Sequence, residues 1–223
     1  MPAIPILFED GEALVIDKPA GLPIEKPRAS GPSLADHLPE LRLGFQRDPA
    51  PVHRIDTDTS GCLLLARNPK ALKRFARAFE DREVEKVYLG VLAGTVAGDE
   101  GEIALSLSKI SSKEAGWRMI AARKGKPALT RWRKLAERDG RTLIEFRPET
   151  GRTHQIRIHA LAGLGAPLLG DPVYGDGPSR TVGGAPRTML HARSLFVPRG
   201  DKPPIAAEAP LPADFARIGF GDG

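Results

Sequence analysis

The stretch His53-Arg54-Ile55-Asp56-Thr57-Asp58-Thr59-Ser60-Gly61-Cys62-Leu63-Leu64-Leu65-Ala66 joins a polar loop to an uninterrupted apolar run. The run, Cys62–Ala66, reads as a strand buried on both faces. The loop before it sets two carboxylates, three hydroxyls and an arginine where the chain enters that strand. Two readings are open for such a loop. It is either a turn whose Asp and Thr side chains bond the local backbone, or a reactive segment presented by a core strand.

Upstream, Ile4–Glu9 and Ala13–Asp17 are apolar-rich runs separated by Asp10-Gly11-Glu12, a hairpin signal. Lys18-Pro19-Ala20-Gly21-Leu22-Pro23 then breaks regular structure. Ser33–Leu38 fits a short helix with Ser33 as N-cap, ended by Pro39. Downstream, Asn68 and Pro69 suit the N-cap and first position of a helix. Leu72, Phe75, Ala76 and Phe79 give it one apolar stripe, with Lys70, Lys73, Arg74 and Arg77 opposite. That basic side is either a solvated outer face or a phosphate-facing surface.

Val84–Leu92 alternates in part like a strand, and Gly98–Gly116, polar and irregular, reads as a loop or excursion. Trp117–Ala122, Ala128–Leu135 and Thr142–Arg147 read as strands, with turns at Lys124-Gly125-Lys126 and Asp139-Gly140. Thr153–Leu161 reads as a helix pairing Thr153 with Arg157, Gln155 with His159, and Ile156 with Ala160 at i, i+4. Gly175–Arg187 is turn-rich and expected to be mobile, and His191–Val197 reads as a late strand. The simplest organisation is one mixed domain over residues 1–223, with a large, mainly antiparallel sheet and a loosely ordered tail at 213–223.

Composition bounds the chemistry. The 223 residues carry 33 Lys and Arg against 28 Asp and Glu, a net charge of +5, with pI ≈ 9.5. A basic balance of this size is one footprint of nucleic-acid binding without being specific to it. A single Cys rules out an intramolecular disulfide and any site with two Cys ligands, and points to a reducing, cytoplasmic setting. The N-terminus lacks a charged lead followed by an apolar core, and no apolar run is long enough to span a membrane. His154 and His159, five apart, miss the zincin spacing; no phosphate loop, dinucleotide fingerprint or Gly-x-Ser-x-Gly elbow occurs. No metal and no nucleotide cofactor are therefore expected.

A second segment, Thr150-Gly151-Arg152-Thr153-His154-Gln155-Ile156-Arg157-Ile158-His159, also concentrates charge at the start of an element. Together, His53–Gly61 and Thr150–His159 resemble the two signature motifs of the RluA-type pseudouridine synthases, His-Arg-Leu-Asp-x-x-Thr-Ser-Gly and Thr-Gly-Arg-x-His-Gln-Leu-Arg-x-His. Lys18–Pro23, Lys86-Val87-Tyr88, Gly170–Gly175 and Leu190-His191-Ala192 resemble further family markers in the expected order. Ile55 and Ile156 stand where the family has Leu, and Thr57 where it often has Arg or Lys. The likeness runs from about Ile6 to Pro212 and is similar to a catalytic domain without the small N-terminal RNA-binding domain of many relatives.

The resemblance implies an α+β pseudouridine synthase fold with helices flanking the sheet and a central RNA-binding cleft. It implies an isomerase that converts uridine to pseudouridine in an rRNA or tRNA stem-loop. The C1′–N1 bond breaks, the uracil turns, and C5 joins C1′. Asp56 is the implied essential carboxylate; attack on the sugar, attack on the base and removal of a sugar proton all stay open. Arg157 is its implied partner, since a guanidinium orients a carboxylate and favours its charged form. Tyr88 is the implied stacking residue and base at C5. Arg54 is the implied filler of the space left by a flipped base. Arg152 and Gln155 are implied to position the RNA backbone or the Asp56 loop. The protein is expected to be a monomer. The competing readings are an idle RNA-binding or ribosome-assembly protein of the same fold, and a glycoside-type hydrolase using Asp56 and Asp58. Those two acids, two apart in an extended segment, point the same way and cannot flank a scissile bond.

Overall fold

The computed structural model describes residues 4–27, 30–112, 116–179 and 184–221. In chain order the strands are β1 (Ile6–Glu9), β2 (Ala13–Lys18), β3 (Ala50–Pro51), β4 (Ser60–Ala66), β5 (Glu85–Leu92) and β6 (Glu100–Ser112). They continue with β7 (Gly116–Ala121), β8 (Lys126–Arg138), β9 (Arg141–Pro148), β10 (Leu190–Arg199) and β11 (Lys202–Glu208). The α-helices among the described residues are α1 (Pro69–Glu80), α2 (Gln155–Ile158) and α3 (Ala213–Arg217). None of them is long and apolar enough to cross a membrane. The chain forms two compact units, Met1–Lys86 with Ala192–Pro210, and Val87–His191 with Leu211–Gly223.

In the first unit the strand order is β1-β2-β4-β10, with β11 beside β10 and β3 beside β4. The Asp10 carboxylate makes the first hairpin, accepting from the N–H groups of Glu12 and Ala13 at 2.8 Å each. β2 runs antiparallel to β4 from Ala13 opposite Ala66 to Lys18 opposite Gly61. Every residue of β4 is buried, as its apolar run requires. Gly61 is obligatory: a Cβ there would lie 2.2 Å from the Ala192 carbonyl oxygen. Asn68 caps α1 by accepting from the Ala71 N–H at 2.9 Å, and Pro69 opens the helix. The buried stripe is Ala71, Phe75 and Ala78, one position round from the expected one, with Leu72 and Phe79 on its flank. The basic side of α1 is partly spent on ion pairs, Arg74 with Glu12 at 2.7 Å and Arg77 with Asp81 at 3.2 Å.

The second unit is built on an antiparallel sheet in the order β5-β9-β8-β6-β7. Residues of β5 alternate between its faces. Tyr88 and Leu92 join a core with Trp132, Ile144, Phe146 and the Ile156 of α2. Leu89 and Val91 join another with Met189 and the Phe215 of α3.

Several expectations give way here. Gly98–Gly116 is not a loop: it holds the 13-residue β6, whose Ile103, Leu105 and Leu107 alternate with polar neighbours at a strand period. The helix at Ser33 is one 3₁₀ turn, Leu34–Asp36, with the Asp36 carboxylate accepting from the Ser33 N–H and hydroxyl at 3.0 and 2.9 Å. The helix expected over Thr153–Leu161 starts at Gln155, and from His159 to Gly163 it widens into a π-turn. A loose tail does not describe residues 213–220, because α3 seats Phe215 at 0% exposure, worth about 2 kcal/mol of apolar burial. Within Gly175–Arg187, residues 180–183 lie outside the described residues. Arg187 is anchored by a forked pair with Asp214, at 2.7 and 3.2 Å, and by the carbonyls of Thr188 and Leu190.

Two imidazoles give the fold a pH dependence. His53 stacks on Phe79 and accepts from the Leu64 N–H at 3.0 Å, and burial first, then the charge of Lys86, pushes its pKa down to about 3. His159 is fully buried with neither ring nitrogen hydrogen-bonded, and burial pushes it down to about 4. Both are neutral when folded and take up a proton when unfolded below about pH 6.5. Folding stability is therefore held above that pH and falls as the solution is acidified, by about 1 kcal/mol per pH unit for each group. Denaturant unfolding at pH 7 and pH 5 should show the loss, and His159→Leu should remove about half of it.

Candidate active site

Arg54 and Asp56 belong to the first unit; Tyr88, Arg152, Gln155 and Arg157 belong to the second. Asp56 is half-buried at the start of a tight turn closed by the Thr59 N–H on the Asp56 carbonyl at 3.1 Å. Arg54, two residues earlier, is exposed. The turn is held from beneath by a buried cation. The Lys18 ammonium, at 0% exposure, donates to the carbonyls of Pro19, Leu22 and Thr57 at 2.8, 2.9 and 3.0 Å. The Gly21 N–H adds a second bond to the Thr57 carbonyl at 2.9 Å, with Gly21 at a φ of 82° that suits glycine. The brace thus fixes Thr57 beside Asp56, β4 holds the end of the loop at Ser60, and Leu64 holds its start, accepting from the Val52 N–H and donating to His53 Nε2 at 3.0 Å each.

In the second unit, Tyr88 sits opposite Phe146 on β9, which sits opposite Trp132 on β8. Opposed residues share a face, so the Tyr88 ring lies in an aromatic row on the side covered by α2. Arg157 on α2 is 7% exposed. Its Nε and Nη2 each donate to the Asp171 carboxylate at 2.7 Å, a forked charge-assisted pair. Asp171, fully buried, also accepts from the Val173 and Tyr174 N–H groups at 2.8 and 3.1 Å. Burial pushes the Asp171 carboxyl up, but the bonds and charge of Arg157 with the two backbone N–H groups outweigh it and hold the carboxyl below its ordinary value. Removing one partner of such a pair costs about 3–5 kcal/mol.

Gln155 turns inward. It is 4% exposed and its amide is committed: Oε1 accepts from the Thr150 hydroxyl at 2.7 Å and the Arg152 N–H at 3.0 Å. Its Nε2 donates to the Leu129 carbonyl at 3.0 Å and the Thr130 hydroxyl at 2.9 Å. It fastens the turn before α2 to β8. Arg152 Nε reaches the Pro127 carbonyl at 3.2 Å and so lies along the same strand. Cys62 is packing: its thiol faces the carbonyls of Arg193 and Ala207, and burial pushes it up to about 12.

Three contributors lie in segments that the resemblance marks without assigning them a role. Lys18 gave a signal, a lysine closing an apolar strand immediately before Pro-x-Gly, but nothing marked it as buried. Asp171 and Tyr174 lie in a turn whose Gly170 is required, since a Cβ there would sit 2.1 Å from the Arg187 carbonyl oxygen. Their link to Arg157 spans 14 residues of chain without regular pattern.

Known proteins resemble this chain closely. The profile of a family described as RNA pseudouridylate synthase matches residues 12–162. An uncharacterised RNA pseudouridine synthase of Zymomonas mobilis is 53% identical over 96% of this chain and 97% of its own. The ribosomal large subunit pseudouridine synthase D of Nitrosomonas europaea is 37% identical over 97% of this chain and 65% of its own. Among solved structures, the human RNA pseudouridylate synthase domain containing 4 superposes with a TM-score of 0.78 at 25% identity, covering 96% of this chain and 92% of that one. With the family profile spanning the Asp56 turn, the Tyr88 strand and the Arg157 helix, the chain belongs to the RNA pseudouridine synthases.

Proposed function

We propose that this chain isomerises uridine in a stem-loop of ribosomal or transfer RNA, with Asp56, Tyr88 and Arg157 as its catalytic groups and the two units acting as one catalytic domain. Large-subunit ribosomal RNA is the first substrate to test, because the relative from Nitrosomonas europaea is named for it. The chain works as a monomer in the cytoplasm. The observation that carries the reading is a half-buried carboxylate on a loop braced at both ends, within a sequence that the family profile covers.

The reaction exchanges one glycosidic bond for another and consumes no outside atom. The C1′–N1 bond breaks, the uracil rotates, C5 bonds to C1′, and the C5 proton leaves as N1 regains one. What the protein supplies is position. The Lys18 brace keeps Asp56 from retreating when it meets the ribose. The Asp171 fork fixes the plane of the Arg157 guanidinium. The Tyr88 ring offers a flat apolar face to the base, with a hydroxyl to handle the C5 proton. Arg54, exposed beside the turn, takes the place of the extruded base, and its planar guanidinium suits stacking in the helix it leaves.

Asp56→Asn should abolish tritium release from RNA labelled at C5 of uridine while RNA binding holds; appreciable turnover would remove Asp56 from its role. Arg54→Ala should slow the reaction more on folded RNA than on an unstructured loop of the same sequence, and equal losses would count against base extrusion. Asp171→Asn should lower kcat by about tenfold or more by freeing the Arg157 fork. In the same variant the unfolding midpoint should drop, read by denaturant titration.

A further inference from the structure

Between Glu102 and Glu137 the sequence carries nine cations and one carboxylate, Glu114. This segment forms β6, β7 and most of β8. On it Trp117 stands 48% exposed, unlike Trp132, which is 9% exposed in the core. The Trp117 ring lies over the His154 imidazole, 5.1 Å between centroids and tilted by 31°. The imidazole is fixed in turn. Its Nδ1 is 3.0 Å from the Tyr174 hydroxyl, which also accepts from the Met119 N–H and donates to the Met119 carbonyl, both at 3.1 Å. Those contacts hold both rings in place. His154 holds a left-handed backbone, φ 53°, an uncommon state for a non-glycine residue that this network maintains.

The register shows where the platform faces. Ser111 lies opposite Trp117, Lys109 opposite Met119, and Lys126 opposite Leu107. Opposed residues share a face and side chains alternate along a strand, so Trp117, Met119, Lys109 and Lys126 all stand on the side where Leu107 packs against Ile158 of α2. That is also the face of the Tyr88 row. The Arg157 guanidinium lies 5.1 Å from the Tyr174 ring centroid. A continuous set of contacts, Trp117–His154–Tyr174–Arg157, therefore leads from an exposed indole to a catalytic group. Lys109 lies 4.9 Å from the indole centroid. An exposed cation over a ring is held more weakly than a base stacked on it, so Lys109 yields to an entering base and turns to the adjacent phosphate.

We propose that Trp117, backed by His154, is a stacking platform for an unpaired base of the substrate RNA, with Lys109 and Lys126 holding the flanking phosphates. This rests on the RNA isomerase reading and adds a specificity element to it, because a stacked base outside the reacting nucleotide selects loops over continuous duplex. Core packing does not account for so exposed an indole resting on an imidazole and an ammonium.

The test uses the full chain carrying Asp56→Asn, which stops turnover, and octauridylate as probe. Single-stranded octauridylate should quench tryptophan emission, and duplex RNA of the same length should bind without the quench. Trp117→Phe should remove the quench and keep the affinity, whereas Trp117→Ala should weaken binding by about tenfold. With Asp56 restored and an rRNA transcript as substrate, Trp117→Ala should raise KM by about tenfold at little change in kcat, and Trp117→Phe should restore KM. An unchanged quench in Trp117→Phe, or an affinity and KM for Trp117→Ala within about twofold of the parent, would overturn the platform. Tritium release by the unsubstituted chain is measured in parallel. Its absence on every RNA would sink the isomerase reading, while the quench would still decide the stacking site.

Discussion

One buried ion pair organises the second unit. Arg157 and Asp171 come from different elements, are both nearly solvent-free, and meet through two charge-assisted bonds of 2.7 Å. Each charge buried alone would be costly, so neither element can shift without exposing the other to that penalty. The Asp171 carboxylate also draws the Val173 and Tyr174 N–H groups round it, which sets the Tyr174 ring beside the guanidinium. The turn, α2 and the hydroxyl contacts to β7 are consequences of satisfying one carboxylate.

The first unit uses the same device with the opposite sign. A lysine ammonium is buried and bonded to three backbone carbonyls, and the loop that supplies one of those carbonyls is the loop that carries Asp56. Placement of the Asp56 carboxylate thereby becomes a by-product of burying a cation. Both arrangements hold charged side chains on backbone that is already over-determined, which is what pre-organisation requires.

Local features of the sequence were legible where local physics decides them. The Asp10 hairpin, the Asn68 cap with Pro69, and the all-buried strand after Gly61 each follow from a few adjacent residues. The two motifs around Asp56 and Arg157 marked the functional segments for the same reason. β6 is hard to read locally because its polar residues mask an alternation of Ile103, Leu105 and Leu107 that becomes decisive only once β8 lies alongside. The extent of α2 was misread because helical spacing alone does not register the left-handed entry at His154 or the π-turn after Ile158.

The sequence by itself determined the alternation of turns and strands, the single thiol, the basic balance, and the two motifs around Asp56 and Arg157 that carry the family resemblance. Tertiary structure alone decided that Lys18 is buried, that the Gln155 amide ties the turn before α2 to β8, that Asp171 grips the Arg157 guanidinium, and that the tail packs through Phe215. Turns and strand faces are fixed by neighbours along the chain. The fate of a charge or an amide depends on which distant carbonyls and carboxylates the fold brings within about 3 Å of it, and no local pattern records that.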